Sequence, residues 1–141
     1  MDFSVDDCIA FLTNAGGKAL DEGMNQRFKD ADITRVQWTA LYYIDKIENI
    51  NQKELAEAML ISEPSTTNLV NRMVQAGFIQ RVRESGARSK TLVLTDLGRE
   101  KLETLRYIPI GFNQDATKTV SAEELEIFKK VLKEMVNNIK L

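Results

Sequence analysis

Apolar positions recur at helical spacing near both ends of the chain, and the pattern changes in the middle. One apolar stripe runs from Val5 to Phe28 and another from Leu125 to Ile139. Steps of three and four residues mark one face of an α-helix. Apolar and β-branched runs over 78–83 and 90–94 instead indicate two short strands, joined by the turn Ser85-Gly86-Ala87. The pattern therefore predicts a mainly helical chain with one small β-hairpin.

Several helix starts carry capping residues. Thr34, Asn51 and Ser121 each stand three positions before Gln or Glu, so that the two side chains can satisfy each other's free backbone N–H groups. Ser62 precedes a Glu-Pro pair that suits a first helical turn, and Gly77 is expected to end the helix that Ser62 opens.

A further helix is expected between Leu97 and Leu105, opened by Thr95. Because proline clashes with the preceding helical turn, Pro109 should kink or break this helix near Tyr107 and Ile108.

The elements between residues 50 and 95 follow the order of a winged helix-turn-helix unit. A helix opened by Asn51 precedes a second helix from Glu63 to Ala76, and the two strands come next. This arrangement allows a protein to place its second helix in the major groove of DNA. The expected core of the unit consists of Leu41, Ile44, Leu55, Leu69, Val70 and Met73. The fold class is therefore mainly α with a β-hairpin wing.

The net charge of −2 is divided unevenly along the chain. Residues 1–32 hold three basic residues against seven acidic ones, a net charge of −4. Residues 72–90 hold five basic residues against Glu84, a net charge of +4. Because salt screens charges over about 8–10 Å, a local basic patch can attract phosphate in a mildly acidic protein. We interpret the chain as a DNA-binding regulator; a merely solvated hairpin is the alternative.

Composition excludes many other classes of protein. The chain has no histidine and a single cysteine, Cys8, and it lacks a glycine-rich phosphate loop. We therefore expect neither an enzyme nor a metal site nor a cofactor. Cys8 lies among acids and apolar residues, which favours a buried, unreactive thiol over a redox sensor. Acids near the start and the lack of a long apolar run indicate a cytoplasmic protein.

The two end stripes need a partner surface that the helix-turn-helix core does not provide. They could close a monomeric core, but a two-fold dimer would present two reading helices to half-sites one DNA turn apart, and we favour the dimer. We expect a single domain over 1–141, with a DNA-binding region at 34–95 and helical dimerisation regions at 1–30 and 96–141.

Five segments together resemble the MarR family of winged-helix regulators. These are ITRVQWTALYYI at 33–44, NQKELAEAM at 51–59, SEPSTTNLVNRMVQAGFIQR at 62–81, RSKTLVLTDLGREKL at 88–102 and SAEELEIFKKVL at 121–132. The resemblance implies a triangular homodimer that binds inverted-repeat operators in double-stranded DNA, usually as a repressor. One position departs from the family: the wing usually carries an acidic residue two positions before its tip arginine, and Gly86 stands there, whereas Arg88 and Lys90 match.

The candidate DNA contacts lie on the second helix and the wing. They are Ser62, Pro64, Ser65, Thr66, Asn68, Arg72, Arg81, Arg83, Arg88 and Lys90. Hydroxyl and amide groups can pair with base edges, and Pro64 and the Thr66 methyl group can touch a thymine methyl group. Arg88 suits a narrow minor groove and Lys90 suits a phosphate. The alternative is that the polar residues only solvate the outer face of the helix.

The family also binds small aromatic effectors between the DNA-reading unit and the dimer helices. Trp38, Tyr42 and Tyr43 would suit such a pocket, although core packing explains them equally well. The competing function is a winged-helix module for protein–protein contact without DNA binding. Such modules lose the basic wing and the polar reading face, and this chain keeps both.

Overall fold

Seven α-helices and one β-hairpin follow one another in the part of the chain that the computed structural model describes, residues 2–83, 86 and 88–140. A short 3-10 helix, Val5–Asp7, comes before the first of them. The elements are α1 (Ile9–Arg27), α2 (Arg35–Lys46), α3 (Gln52–Met59), α4 (Glu63–Gln75), β1 (Ile79–Val82), β2 (Thr91–Leu94), α5 (Asp96–Thr104), α6 (Tyr107–Thr117) and α7 (Ala122–Ile139). The predicted class, mainly α with a β-hairpin wing, is confirmed.

The capping residues act where the sequence placed them. Thr34, Asn51 and Ser121 each form a complete capping box, on α2, α3 and α7. In the last of these, the backbone N–H of Ser121 donates to Glu124 Oε1 at 3.0 Å, and hydrogen bonding with Ser121 lowers the pKa of that carboxyl. Gly77 follows α4 with a φ of +83°, a conformation that glycine adopts without steric cost. Local signals thus set most of the helix boundaries.

The hairpin is antiparallel and is joined to the start of α3. Ile79 pairs with Leu94 and Val82 with Thr91. The strands are shorter than the runs 78–83 and 90–94 that the sequence indicated. The Leu92 N–H donates to the Ile50 carbonyl at 2.8 Å, which holds β2 against the residues that open α3. Gly86 has a φ of +83°, and the rest of the predicted turn, Ser85 and Ala87, lies outside the described residues.

The core lies under the helix-turn-helix unit. Five of the six predicted core residues are buried, and Leu69 is half-buried against them. Phe28, from the end of α1, and Ile108, from α6, add apolar contacts from outside the unit. The indole N–H of Trp38 donates to the Leu102 carbonyl at 3.2 Å and so satisfies a buried donor.

The helix that follows the wing ends earlier than we expected from the position of Pro109. The break lies at Leu105 and Arg106, and Tyr107 and Ile108 already belong to the first turn of α6. Pro109 is the third residue of α6, where a backbone N–H has no partner within the helix. A proline therefore costs little there, and our expectation of a break next to it was wrong by two residues.

The terminal helices α1 and α7 contain no buried residues. Their apolar stripes lie open: Leu12 and Leu20 on α1 and Phe128 and Ile139 on α7 are all more than half exposed. Cys8 is half-buried at the start of α1, so the expectation of a buried thiol was only partly right. Among the described residues, none of the helices combines the length and apolar character that crossing a bilayer requires.

Candidate nucleic-acid interface

Helix α4 is anchored to the core along one side only. Thr66, Val70 and Met73, at steps of four and three residues, are each fully buried. The opposite side carries exposed residues, namely Pro64 and the polar Ser65, Asn68, Asn71, Arg72 and Gln75. A helix fixed on one side and polar on the other can present the polar side to a groove of DNA.

Thr66 does not belong to that polar side, and its placement there from the sequence was wrong. Its exposure is 0%, and its hydroxyl donates to the Ser62 carbonyl at 2.8 Å. This bond back to the preceding turn satisfies the hydroxyl, so the side chain can be buried without an unpaired polar atom.

The first turn of α4 is built around Ser62. The Ser62 hydroxyl accepts the backbone N–H of Ser65 at 3.2 Å and donates to the Ser65 hydroxyl at 2.9 Å. Pro64 occupies the second helical position, where its missing N–H costs nothing. The Ser62 hydroxyl is thus committed to capping, and Glu63, Pro64 and Ser65 follow it with exposed side chains.

Asn68 and Arg72 stand one helical turn apart on the exposed side of α4. Ser65 lies one turn before Asn68, so the three form a row along one flank of the helix. An amide can bind adenine through two hydrogen bonds, and a guanidinium can bind guanine in the same way. The row therefore offers two groups suited to reading bases.

The wing supplies further cations. Arg83 follows β1, Arg88 lies in a bend, and Lys90 precedes β2, all with exposed side chains. A cleft of about 400 Å³ opens between the wing and the start of α3. Its lining includes Lys53, Arg81 and Lys90. Lys53 was absent from our candidates because it lies on α3, and only the folded chain brings it to the wing.

Arg81 has surroundings unlike those of the other wing cations. It is half-buried, and its Nη2 donates to Asn71 Oδ1 on α4 at 2.5 Å. The same nitrogen lies 3.5 Å from Gln52 Oε1 on α3. Arg81 is thus directed towards the two helices.

The three aromatic effector candidates form one cluster of neighbouring rings. The Trp38 and Tyr42 rings stack with centroids 6.0 Å apart, and Tyr43 meets Tyr42 edge-on. Trp38 lies in the core, whereas Tyr42 and Tyr43 are half-buried. A cleft of about 440 Å³ lies between the end of α1 and the start of α2, and its lining includes Phe28, Arg35 and none of the three.

Comparisons with known proteins agree with this architecture. The model of the MarR family matches residues 31–88. The uncharacterized HTH-type transcriptional regulator YybA of Bacillus subtilis is 29% identical over 123 residues, which cover 86% of this chain and 82% of the relative.

Two solved structures share the fold. The S. aureus MepR–DNA complex superposes with a TM-score of 0.84 at 22% identity, over 97% of this chain and 100% of that one. Bordetella bronchiseptica BpsR, whose DNA binding is regulated by 6-hydroxynicotinic acid, superposes with a TM-score of 0.86 at 14% identity, over 96% of this chain and 98% of that one.

Proposed function

Because this chain belongs to the MarR family of DNA-binding transcriptional regulators, we propose that it represses transcription as a homodimer bound to inverted-repeat operators. The observation that carries the proposal is the joint exposure of the polar row on α4 and the cations of the wing. In this proposal the protein acts in the cytoplasm and is not an enzyme.

In this proposal, α4 enters the major groove and reads bases. Asn68 pairs with a base edge, and Arg72 pairs with a guanine or a phosphate one turn later. Ser65 bonds a phosphate or a base, and Pro64 provides an apolar contact to a thymine methyl group. Ser62 contributes by ordering the first turn.

The wing follows the DNA backbone beside the major groove. Arg88 enters the neighbouring minor groove, where A·T-rich DNA is narrow and its potential is more negative. Arg83, Lys90 and Lys53 neutralise phosphates around the cleft between the wing and α3.

The open faces of α1 and α7 support the homodimer. Apolar residues at helical spacing cover both faces, and a second copy would bury them. A two-fold dimer presents two α4 helices, which matches an operator of two inverted half-sites.

Release by a small aromatic effector is the second part of the proposal. Tyr42 and Tyr43 remain candidates for the effector contact because they are half-buried aromatic residues with polar edges. Trp38 would act by supporting Tyr42, against which it stacks. A thermal-shift screen with aromatic carboxylates tests this part, and a flat response across the series would contradict it.

The principal test selects DNA from a random-sequence pool with the full chain and measures affinity across salt concentrations. We expect the wild type to select an inverted repeat and to bind it with a steep salt dependence. Asn68→Ala should lower discrimination between selected and scrambled DNA at least roughly 30-fold, because one bidentate base contact is lost in each of the two half-sites. Arg88→Ala should reduce the slope of log affinity against log salt by about 1.8, for two lost cations per dimer.

Arg99→Ala is the matched control because it removes one positive charge outside the interface. Arg99 lies on α5 and pairs with Asp45 at 3.0 Å. It should leave discrimination and salt slope unchanged. A wild-type chain that binds no DNA even at low salt would instead favour a module for protein–protein contact.

A further inference from the structure

Arg81 lies on the inner face of the wing. Successive side chains of a strand point to opposite faces, and in β1 Ile79 is buried and Arg81 half-buried while Gln80 and Val82 are exposed. On β2, the residue paired with Arg81 is Leu92, which is buried. The Arg81 side chain therefore extends from the wing towards the helices.

Hydrogen bonds join Arg81 to both helices of the helix-turn-helix. Arg81 Nη2 bonds Asn71 on α4 directly and approaches Gln52 on α3. Gln52 Nε2 in turn donates to Thr67 Oγ1 at 2.7 Å, and Thr67 donates to the Glu63 carbonyl at 3.0 Å. Asn71 and Thr67 are one turn apart on the same flank of α4. The wing and α3 thus each hold α4 by a hydrogen bond, Arg81 to Asn71 and Gln52 to Thr67.

These two hydrogen bonds lie on a flank of α4 that does not pack into the core. The buried residues Thr66, Val70 and Met73 anchor the opposite side. A rotation of α4 about that anchored side would move Asn68 and Arg72 relative to the wing. Bonds from Arg81 to Asn71, and from Gln52 to Thr67, oppose such a rotation because they hold the free flank.

We propose that Arg81 is a positioning residue, which fixes the orientation of α4 relative to the wing through Asn71 and Gln52, and is not one of the cations that neutralise phosphate. This role rests on the proposed DNA binding and sharpens it. Arginine suits the role because the two N–H groups of Nη2 lie in the fixed plane of the guanidinium, whereas the ammonium of lysine ends a shorter side chain and rotates freely.

The slope of log affinity against log salt distinguishes a positioning role of Arg81 from a contact between Arg81 and phosphate. If Arg81 positions α4, Arg81→Ala should lower discrimination between selected and scrambled DNA at least roughly ten-fold, because one charge-assisted hydrogen bond is lost in each protomer. The salt slope should stay at its wild-type value. If Arg81 instead contacts phosphate, the slope should fall by about 1.8 per dimer and both DNAs should lose affinity alike.

Two further variants complete the DNA-binding test. Arg81→Lys keeps the charge but not the geometry, so it should lose discrimination as Arg81→Ala does, whereas a phosphate contact would be rescued by lysine. Asn71→Ala removes no charge, yet it should reproduce the loss of discrimination. Arg83→Ala is the comparison variant, in which the slope itself should fall.

A double-mutant cycle in thermal or denaturant unfolding needs no DNA. Arg81→Ala and Asn71→Ala should each reduce stability, and the double variant should lose clearly less than the two losses combined, because both remove the same bond. Additive losses, or rescue of discrimination by Arg81→Lys, would overturn the proposal. A wild-type chain that selects no DNA but shows the coupling would contradict the proposed function and leave the hydrogen bond between Arg81 and Asn71 established.

Discussion

At the scale of single residues, Thr66 and Asn68 show how neighbouring polar side chains of one helix acquire different roles. Thr66 is buried and bonds the Ser62 carbonyl, while Asn68 is exposed one half-turn later. The sequence alone did not separate them, because threonine can satisfy its own hydroxyl within a helix and then enter a core. Asn68 is exposed, on the side of α4 that faces away from the buried Val70 and Met73.

Position 98 also requires glycine for a reason that is visible only in the folded chain. A Cβ atom at this position would lie 2.0 Å from the Phe78 carbonyl oxygen. That oxygen already accepts the Thr95 N–H at 3.0 Å, so it is held in place. The close approach joins the start of α5 to the segment before β1, and no local pattern around Gly98 indicates it.

Gly98→Ala should therefore destabilise the protein. The methyl group must displace backbone rather than a flexible side chain, and overpacking of this kind typically costs about 1–3 kcal/mol. Gly111→Ala is the matched control, because nothing lies within 4 Å of its added Cβ in α6. It should be neutral or stabilising by about 0.5–1 kcal/mol. Urea unfolding measures both, and equal stabilities would contradict the close contact at Gly98.

At the scale of helices and strands, the sequence predicted what depends on a few consecutive residues. The three capping boxes were correct because each needs only four residues and its own backbone. The hydrogen bonds from Arg81 to Asn71 and Gln52 were not predicted, since Gln52 lies 29 residues away along the chain. Helix α6 was not predicted either, because Pro109 was taken as the end of a helix rather than part of a first turn.

The turn between α3 and α4 contains an unusual residue. Leu60 has a φ of +57° and is 91% exposed. A left-handed conformation costs a residue with a Cβ about 1–2 kcal/mol, and asparagine tolerates it better than most. Leu60 therefore adds strain at this turn without burying its side chain.

Leu60→Asn should raise the free energy of unfolding by about 1 kcal/mol. The matched control is Leu60→Ala, which removes the same exposed apolar side chain but keeps the unfavourable φ. It should give no gain in stability. If alanine stabilises the protein as much as asparagine does, the left-handed turn is not the cause.

At the scale of the whole molecule, the isolated chain exposes more surface than a compact protein of its mass. Its accessible surface is 10447 Å² for 16.0 kDa. A compact monomer of that mass exposes about 7,400 Å². The excess, about 3,000 Å² per chain or about 6,000 Å² for a pair of chains, is at the upper end of what large and permanent interfaces bury in total. It is consistent with the open faces of α1 and α7, whose need for a partner the sequence periodicity predicted.

Phe128→Asp should accordingly separate the proposed dimer into monomers. Phe128 is 59% exposed on the apolar stripe of α7, and a carboxylate there would be buried without a partner in any interface that covers the stripe. Light scattering should give the 16.0-kDa chain mass for the variant and twice that mass for the wild type. Affinity for a two-half-site DNA should fall at least about 100-fold, since each α4 must then bind alone.

Lys130→Ala, on the opposite face of α7, changes the net charge by the same single unit and should preserve both mass and affinity. A Phe128→Asp chain that keeps the doubled mass would show that this face of α7 lies outside the dimer interface, and a wild type of 16.0 kDa would contradict the dimer itself.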